Sequence, residues 1–157
     1  MNNPRPITET QLRLVKPFLK WFTRLNVRIY QWTGGRLFNR IGGGEICIVT
    51  MTGAKSGLPR EFPLIYVPYQ DGIVLVASFA GGPNHPTWYY NLIAHPEIEV
   101  TVRERRFKLI ARRATAAQKA ALWPLCCQHY RDFALYQRRT SRDIPVFICA
   151  PAAAEPK

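Results

Sequence analysis

The feature that most constrains this chain is a long stretch that carries almost no charge. Between Phe62 and Pro96 the only charged residue is Asp71, and β-branched and aromatic side chains are frequent there. A segment of this composition is stable only when it is buried, so it predicts the core of a globular domain. The 157 residues are the size of one domain. A domain of this size buries about 70% of its unfolded surface, so it needs neither disulfides nor a metal ion to fold.

The net charge of +12 lies almost entirely outside this stretch. Residues 1–40 carry +7, residues 41–96 carry −1 and residues 97–157 carry +6. A protein that binds nucleic acid through such an excess would interleave aromatic side chains with its surface cations. Here the aromatic side chains cluster in the uncharged middle, so we expect no nucleic-acid partner.

The sequence predicts a cytoplasmic protein. It lacks an apolar run of the roughly 20 residues that a membrane-spanning helix needs, and its first residues do not resemble a secretory signal. The four cysteines (Cys47, Cys126, Cys127 and Cys149) show no spacing typical of a metal site or a disulfide framework. We therefore expect free thiols in a reducing compartment and no metal ion.

Strand and turn signals predict a mostly antiparallel sheet. Strands are expected over residues 45–52, 61–69, 73–79, 97–102, 106–113 and 144–149, and helices over 12–33, 86–94 and 115–130, with a short helical or irregular piece at 132–139. The strands follow one another through short turns such as Gln70-Asp71-Gly72 rather than alternating with helices. Six short strands around an uncharged interior favour closure into a small barrel, so the predicted fold class is α+β, mostly β.

The chain divides into four predicted segments. We expect a flexible tail over residues 1–11, a basic amphipathic helix over 12–33, a barrel domain over 40–151 and a second flexible tail over 152–157. Within the helix, five cations recur every three or four residues and share one face: Arg13, Lys16, Lys20, Arg24 and Arg28. Such a helix either docks on the barrel with its basic face in water or lies on an anionic membrane surface.

A turn between two predicted strands carries the first candidate site. Lys55, Ser56 and Arg60 lie there, and Gly53 and Gly57 free the backbone for unusual dihedral angles. Backbone N–H groups, a hydroxyl group and two cations in one turn are suited to hold an anion. The alternative is an ordinary basic turn exposed to water.

Two aromatic segments carry the remaining candidates. Trp88 and Asn91 share one face of a predicted helix, where they either orient a planar heterocycle or form a core tryptophan beside a capping asparagine. Tyr130, Phe133 and Tyr136 recur every three residues and form one stripe if that stretch is helical. A helical stripe is typical of a core, whereas two phenol groups that need hydrogen-bond partners favour a wet pocket.

These segments together resemble the deazaflavin-dependent nitroreductase family. The pattern is T-G-x-K-S-G-x-P-R over 52–60, P-L at 63–64, A-S-x-x-G-G-x-x-x-P-x-W-Y-x-N over 77–91, and Y-x-x-[YF]-x-x-Y-Q-x-x-T-x-R-x-I-P over 130–145. The resemblance runs from about residue 19 to residue 151, and four motifs in this order and spacing are specific. It implies a split β-barrel of the flavin-reductase and pyridoxamine-phosphate-oxidase type, with an N-terminal helix and two further helices. It also implies coenzyme F420, an 8-hydroxy-5-deazaflavin, as cofactor, with FMN as the alternative.

The resemblance also implies roles for individual residues. Lys55, Ser56 and Arg60 would hold the phosphate and the acidic tail of the coenzyme. The coenzyme ring would be framed by Pro63, Leu64, Ala77, Ser78, Trp88, Tyr89 and Asn91. Ser78, Tyr130 and Tyr136 would be the catalytic residues on the acceptor side, and Ile65 and Phe133 would line the substrate pocket.

Four positions depart from the family pattern. Phe79 and Ala54 stand where the family often has Lys and Arg, which lowers the positive charge of the predicted anion site. Ile65 and Phe133 stand where nitro-reducing members have Tyr, which removes two hydroxyl groups from the acceptor pocket. A quinone is therefore a better candidate acceptor than a nitro compound.

The sequence thus predicts a coenzyme F420-dependent oxidoreductase that transfers hydride to a planar apolar acceptor, such as a quinone or a nitro compound. The cofactor carries the hydride chemistry, and the protein orients it and excludes water. The alternative is a non-catalytic carrier that binds a flavin-like or other planar ligand in the same barrel. If residues 12–33 bind lipid, the protein lies at the inner face of the cell membrane; the oligomeric state is left open.

Overall fold

Eight strands and four helices make up the part of the chain that the computed structural model describes, residues 25–152. Residues 25–32 are helical (α1). The strands are Arg40–Ile41 (β1), Gly44–Thr52 (β2), Pro59–Ile65 (β3), Val67–Tyr69 (β4), Gly72–Val76 (β5), Glu97–Val102 (β6), Arg105–Arg113 (β7) and Val146–Ala150 (β8). The other helices are Thr87–Ala94 (α2), Ala116–His129 (α3) and Asp132–Arg139 (α4), and a 3-10 turn spans Phe79–Gly81.

The strands form one antiparallel sheet in the order β1-β2-β6-β7-β8-β5-β4, with β3 paired to β2 off this path. The predicted hairpins β4–β5 and β6–β7 are both present. The single strand predicted over 61–69 is wrong, because the chain divides at Tyr66. Up to Ile65 the chain pairs with β2, and from Val67 it pairs with β5, so the exchange of partner interrupts the strand.

The sheet curls around one apolar core, so successive side chains of β2 have different surroundings. Cys47 and Val49 point inward and join inward-facing residues of β5, β6, β7 and β8. Ile46 and Ile48 face outward and pack against Tyr30 of α1. Burial on both faces explains why the sequence of β2 is almost continuously apolar.

The helices α3 and α4 cover the outer face of β5 and β8. Val74 and Val146 point outward from these strands and pack against Leu122 and Cys126 of α3 and Phe133 of α4. This second apolar layer places the residues that follow α3 beside the sheet.

The start of α3 is the one that the sequence predicts. Thr115 and Gln118 form a capping box, in which the Thr115 side chain accepts from the Gln118 N–H and the Gln118 side chain accepts from the Thr115 N–H. Pro124 lies inside α3 without ending it.

Only the last part of the predicted helix over 12–33 falls within the described residues. There α1 ends before Gly34 and Gly35, whose φ angles are +58° and +71°, as the sequence predicts. Residues 12–24 and the predicted tail over 1–11 lie outside the described residues, as does all but the first residue of the predicted tail over 152–157. Among residues 25–152, none of the helices has the length and apolar character required to cross a bilayer.

Candidate functional site

The predicted anion turn joins β2 to β3 and is held by hydrogen bonds within itself. The Gly57 N–H donates to the Gly53 carbonyl at 2.8 Å, and Arg60 Nη2 donates to the Ser56 hydroxyl oxygen at 3.3 Å. A β-carbon at Gly53 would lie 2.6 Å from Ser56 Oγ, so a side chain at this position would displace the Ser56 hydroxyl group. Lys55, Ser56 and Arg60 are all exposed and lie together at this end of the barrel.

A contact from α2 fixes the turn. The buried Asn91 side chain accepts a hydrogen bond from the Ala54 N–H at 2.9 Å through its Oδ1. Trp88, on the same face of α2, is 5% exposed, and its ring lies 6.1 Å from that of Phe147 in the barrel core. Asn91 therefore orders the anion turn and Trp88 packs in the core, while their predicted contact with a coenzyme ring stays a prediction.

Tyr89 lies between the core and the surface. Its ring stacks on His85 with centroids 4.1 Å apart, and its hydroxyl group accepts from Arg113 Nη1 at 3.3 Å. Burial lowers the pKa of His85, and the positive charges of Arg142 and Arg113 lower it further. His85 is therefore neutral at physiological pH. The Tyr89 ring is held by its stacking on His85 and by its hydrogen bond from Arg113.

Successive residues of β3 have different surroundings. Leu64 packs on the barrel core, whereas Ile65 packs with the cluster that contains Tyr130. Pro63, half-buried, shares the face of Ile65 by the two-residue repeat of a strand. Among the described strands, β3 pairs only with β2, so its second edge is available to a ligand that would touch Pro63 and Leu64 along the backbone.

Tyr130 and Tyr136 form a hydrogen-bonded phenol pair, with their hydroxyl oxygens 3.0 Å apart. The backbone before β2 lies directly against Tyr130, because a β-carbon at Gly42 would be 2.8 Å from its hydroxyl oxygen and one at Gly44 would be 2.9 Å from its ring. These glycines belong to none of the four motifs of the resemblance, although three consecutive glycines before a buried strand were a usable signal.

The surroundings of Tyr130 keep its phenol protonated. Burial raises the pKa of Tyr130 well above its ordinary value of 10, and the hydrogen bond from Tyr136 raises it further. Phe133 is 3% exposed, and its ring meets that of Tyr130 edge-on with centroids 5.0 Å apart. The predicted aromatic stripe is therefore partly core and partly polar. Phe133 packs in the core, and the two phenols form a hydrogen-bonded pair beside it.

Ser78 belongs to a strained loop over residues 77–82, here called the Ser78 loop. Ala77 and Ser78 are buried, and the next three residues have left-handed φ angles: Phe79 at 47°, Ala80 at 53° and Gly81 at 76°. Non-glycine residues adopt this region at an energetic cost and persist there only where the surroundings hold them. One such restraint is α4, because a β-carbon at Gly81 would lie 2.6 Å from the Tyr136 carbonyl oxygen.

Arg142 is a residue of this site that sequence reasoning missed. Its guanidinium group donates to the carbonyl oxygens of Ala77 at 3.2 Å, Ser78 at 3.0 Å and Gly82 at 3.3 Å. It also donates to His85 Nδ1 at 3.0 Å. Arg142 stands in the last motif of the resemblance, but sequence spacing alone does not show that it reaches a loop some sixty positions earlier.

The candidate residues form two groups at opposite ends of β2. The anion turn follows its last residue, Thr52, and the phenol pair lies against its first residue, Gly44. The strand has nine residues, and the eight steps between them at about 3.3 Å each separate the two ends by about 26 Å. The two ends therefore differ in chemistry, with exposed cations at one and a pair of hydroxyl groups at the other.

Comparison with solved structures shows the same architecture. An F420-H2-dependent reductase, FDR-A, is 38% identical with a TM-score of 0.63, over 66% of this chain and 92% of that one. A chain described as a domain-swapped dimer is 34% identical with a TM-score of 0.65, over 83% and 98% of the two chains. The haem storage protein HutZ of Vibrio cholerae, 13% identical with a TM-score of 0.51, shares the fold alone. The chain is thus a split β-barrel of the F420-dependent reductase class.

Within that class, the chain belongs to the F420H(2)-dependent quinone reductase family, whose model matches residues 21–151. It is 37% identical over 129 residues to the F420H(2)-dependent quinone reductase Rv1261c of Mycobacterium tuberculosis, covering 80% of this chain and 87% of the relative. It is 35% identical over 97 residues to the putative quinone reductase Rv3178 of the same organism, covering 62% and 82%. The predicted family, split-barrel fold, oxidoreductase class and coenzyme F420 are confirmed.

Proposed function

We propose that this protein transfers hydride from reduced coenzyme F420 to a quinone. The observation that carries the proposal is the separation of an exposed cationic turn from a hydrogen-bonded phenol pair along β2. Coenzyme F420 has the matching form, with an acidic tail at one end and a planar ring at the other. The quinone reductases of the same family support the acceptor.

The anion turn has the chemistry that an acidic tail requires. Lys55 and Arg60 supply two cations, Ser56 supplies a hydroxyl group, and all three are exposed. A β-carbon at Gly57 would meet nothing within 4 Å, so space for a ligand is open beside the turn. We infer that these residues hold the tail by charge-assisted hydrogen bonds, while Asn91 keeps the turn in shape.

The phenol pair and Ser78 have the chemistry that the acceptor end requires. The bound coenzyme supplies the hydride. One hydroxyl group of the Tyr130–Tyr136 pair then donates a hydrogen bond to the acceptor oxygen as negative charge develops on it, and Ser78 lies on the loop that packs against α4 beside the pair. The apolar side chains of Ile65 and Phe133 add no competing hydroxyl group, which favours a quinone over a nitro compound.

The reaction itself is the first test. Reduced coenzyme F420 should be reoxidised by a water-soluble quinone in the presence of the protein, and the absorbance of the oxidised coenzyme should return at a rate proportional to enzyme concentration. A protein that only carries the coenzyme would bind it and leave the absorbance unchanged.

Lys55→Ala tests the tail site. We expect the dissociation constant of coenzyme F420 to rise roughly ten- to hundredfold, because one charge-assisted contact is lost. Lys108→Ala is the matched control, since Lys108 is an exposed lysine of β7 outside the proposed site. Equal dissociation constants for the wild type and Lys55→Ala would contradict the assignment.

We further propose that the N-terminal region lies on the anionic inner face of the cell membrane. The described end of this region exposes a set of apolar side chains, here called the N-terminal patch: Trp32 (88% exposed), Leu37 (55%), Phe38 (49%) and Ile41 (45%). Three exposed arginines, Arg28, Arg36 and Arg40, lie among them in the sequence. Apolar side chains beside cations suit the boundary between lipid headgroups and acyl chains. The patch continues into Gly42, which contacts Tyr130, so a quinone dissolved in lipid would arrive next to the phenol pair.

A further inference from the structure

Arg142 joins both ends of the Ser78 loop through one rigid group. Nη1 bonds the Ala77 carbonyl and His85, and Nη2 bonds the carbonyls of Ser78 and Gly82. A guanidinium group is planar and carries five donors in fixed directions, so four bonds from one group define the relative positions of four partners.

The backbone of Arg142 is itself fixed by α4. Its carbonyl oxygen accepts from Gln137 Nε2 at 2.8 Å, and its N–H donates to Thr140 Oγ1 at 3.2 Å. Tyr136 precedes Gln137 on the same helix, and its backbone packs directly against Gly81 of the loop. Arg142 therefore connects α4, which carries Tyr136, to the loop that carries Ser78, and so fixes the relative positions of these two residues.

The placement of Arg142 is poorly explained by stability alone. Among the described residues no carboxylate forms an ion pair with it, and its buried Nε has no hydrogen-bond partner in this part of the chain. Arg142 is partly buried, and an interior Nε–H without a hydrogen-bond partner costs free energy of folding. Among the described residues, the hydrogen bonds of the guanidinium group are those that Nη1 and Nη2 donate to the Ser78 loop and to His85.

We propose that Arg142 is a positioning residue for the reaction: it holds the Ser78 loop in its left-handed conformation and so sets Ser78 at a fixed distance from the phenol pair. The inference rests on the proposed function. Lysine has a single ammonium group without the planar fork, so it cannot hold the loop at both ends.

The test compares Arg142→Lys and Arg142→Ala with the control Arg138→Ala, which removes an exposed arginine of α4. We expect kcat for a quinone to fall at least about tenfold in both Arg142 variants. The dissociation constant of coenzyme F420 should change less than about threefold, because Lys55, Ser56 and Arg60 at the other end of β2 hold the tail. Guanidinium chloride well below denaturing concentrations should restore part of the turnover of Arg142→Ala and leave Arg138→Ala unchanged.

A kcat of Arg142→Lys within twofold of wild type would overturn the proposal, and this variant decides alone if Arg142→Ala does not fold. Loss of kcat without guanidinium rescue, in parallel with loss of thermal stability, would also overturn it, because the residue would then be structural only. Amide exchange of Gly81 and Gly82 in the intact protein gives a readout that does not need activity. It should be slow in the wild type and faster in Arg142→Lys even if quinone proves to be the wrong acceptor; equal exchange rates would overturn the proposal.

Discussion

Tyr130 and Tyr136 share two hydroxyl protons, and only one of them is used in their mutual hydrogen bond. The other proton is not used in that bond, and Asp132 is close enough to act on the Tyr130 hydroxyl group. Burial raises the pKa of Tyr130, and its interactions with Tyr136 and Asp132 raise it further, so Tyr130 keeps its own proton at physiological pH. At the scale of single residues, this leaves the pair as a donor to an acceptor oxygen rather than as a base.

Replacing either phenol should therefore slow quinone reduction without weakening coenzyme binding. Tyr130→Phe and Tyr136→Phe keep the ring and remove one donor, so we expect kcat/KM for a quinone to fall on the order of 10²-fold. Tyr90→Phe is the control, since Tyr90 is exposed on the outer side of α2. If both variants turn over quinone like the control, the phenols only pack.

A second residue-level prediction concerns pH. His85 is half-buried and faces Tyr89, Tyr90, Arg113 and Arg142, and its pKa is lowered from its ordinary value of 6.5 by burial and then by the two arginines. Just below pH 6.5, His85 is therefore protonated to a greater extent in the unfolded chain than in the folded one. Consequently the free energy of unfolding decreases as the pH falls below about 6.5.

His85→Gln removes this titration, and its side-chain amide oxygen can replace Nδ1 as the hydrogen-bond acceptor for Arg142. Urea unfolding of both proteins between about pH 5 and pH 8 should show a smaller loss of stability towards acid in the variant. The effect is modest because the imidazole is partly in water. The same slope in both proteins would mean that His85 titrates normally.

At the scale of elements, the turn before β2 connects the N-terminal region to the acceptor end of the site. Gly42 and Gly43 have φ angles of +54° and +87°, which glycine adopts without the steric cost that other residues meet. Gly42 lies against the Tyr130 hydroxyl group, whereas a β-carbon at Gly43 would meet nothing within 4 Å. A substitution at either glycine would therefore strain the backbone, but only one at Gly42 would also contact the Tyr130 hydroxyl group.

Gly42→Ala and Gly43→Ala make use of this difference. Both variants should lose about 1 kcal/mol of stability from the left-handed backbone. Only Gly42→Ala should also lower quinone turnover, because its new methyl group displaces Tyr130. Steady-state kinetics with matched thermal denaturation measures both effects, and equal turnover in the two variants would place Tyr130 away from the reaction.

At the scale of the whole molecule, α1 is part of the fold as well as the start of the N-terminal patch. Val27 and Tyr30 pack against Ile46 and Ile48, and the Tyr30 hydroxyl group accepts from the Arg103 N–H at 2.7 Å. Removing the helix would therefore open the core, so membrane binding has to be tested with substitutions in the full chain.

The full-length protein should sediment with phosphatidylglycerol vesicles and not with phosphatidylcholine vesicles. Arg28→Glu with Arg36→Glu should release it, as should salt well above physiological, because the attraction decays within a Debye length of about 8 Å at 0.15 M. Arg105→Glu with Arg106→Glu, on exposed arginines of β7, changes the net charge equally and should leave it bound. Release by the control pair would assign binding to the overall charge of +12 rather than to the patch.

Much of the fold was predictable because its signals are local. The Asp71 hairpin turn and the Thr115 cap each act over a few neighbouring residues. The division of the predicted strand at Tyr66 was not predictable, since both halves have strand-like sequence and only the exchange of pairing partner separates them.

The sequence by itself determined a buried antiparallel barrel, a cationic turn and a pair of phenols, because each depends on residue type and short spacing. Only the tertiary structure decided which of these meet. It placed Gly42 on Tyr130, Asn91 on the anion turn and Arg142 on the Ser78 loop, across separations that sequence patterns do not encode. The physical reason is that hydrogen-bond and packing partners are selected by the curled sheet, which brings distant segments within 3 Å of one another.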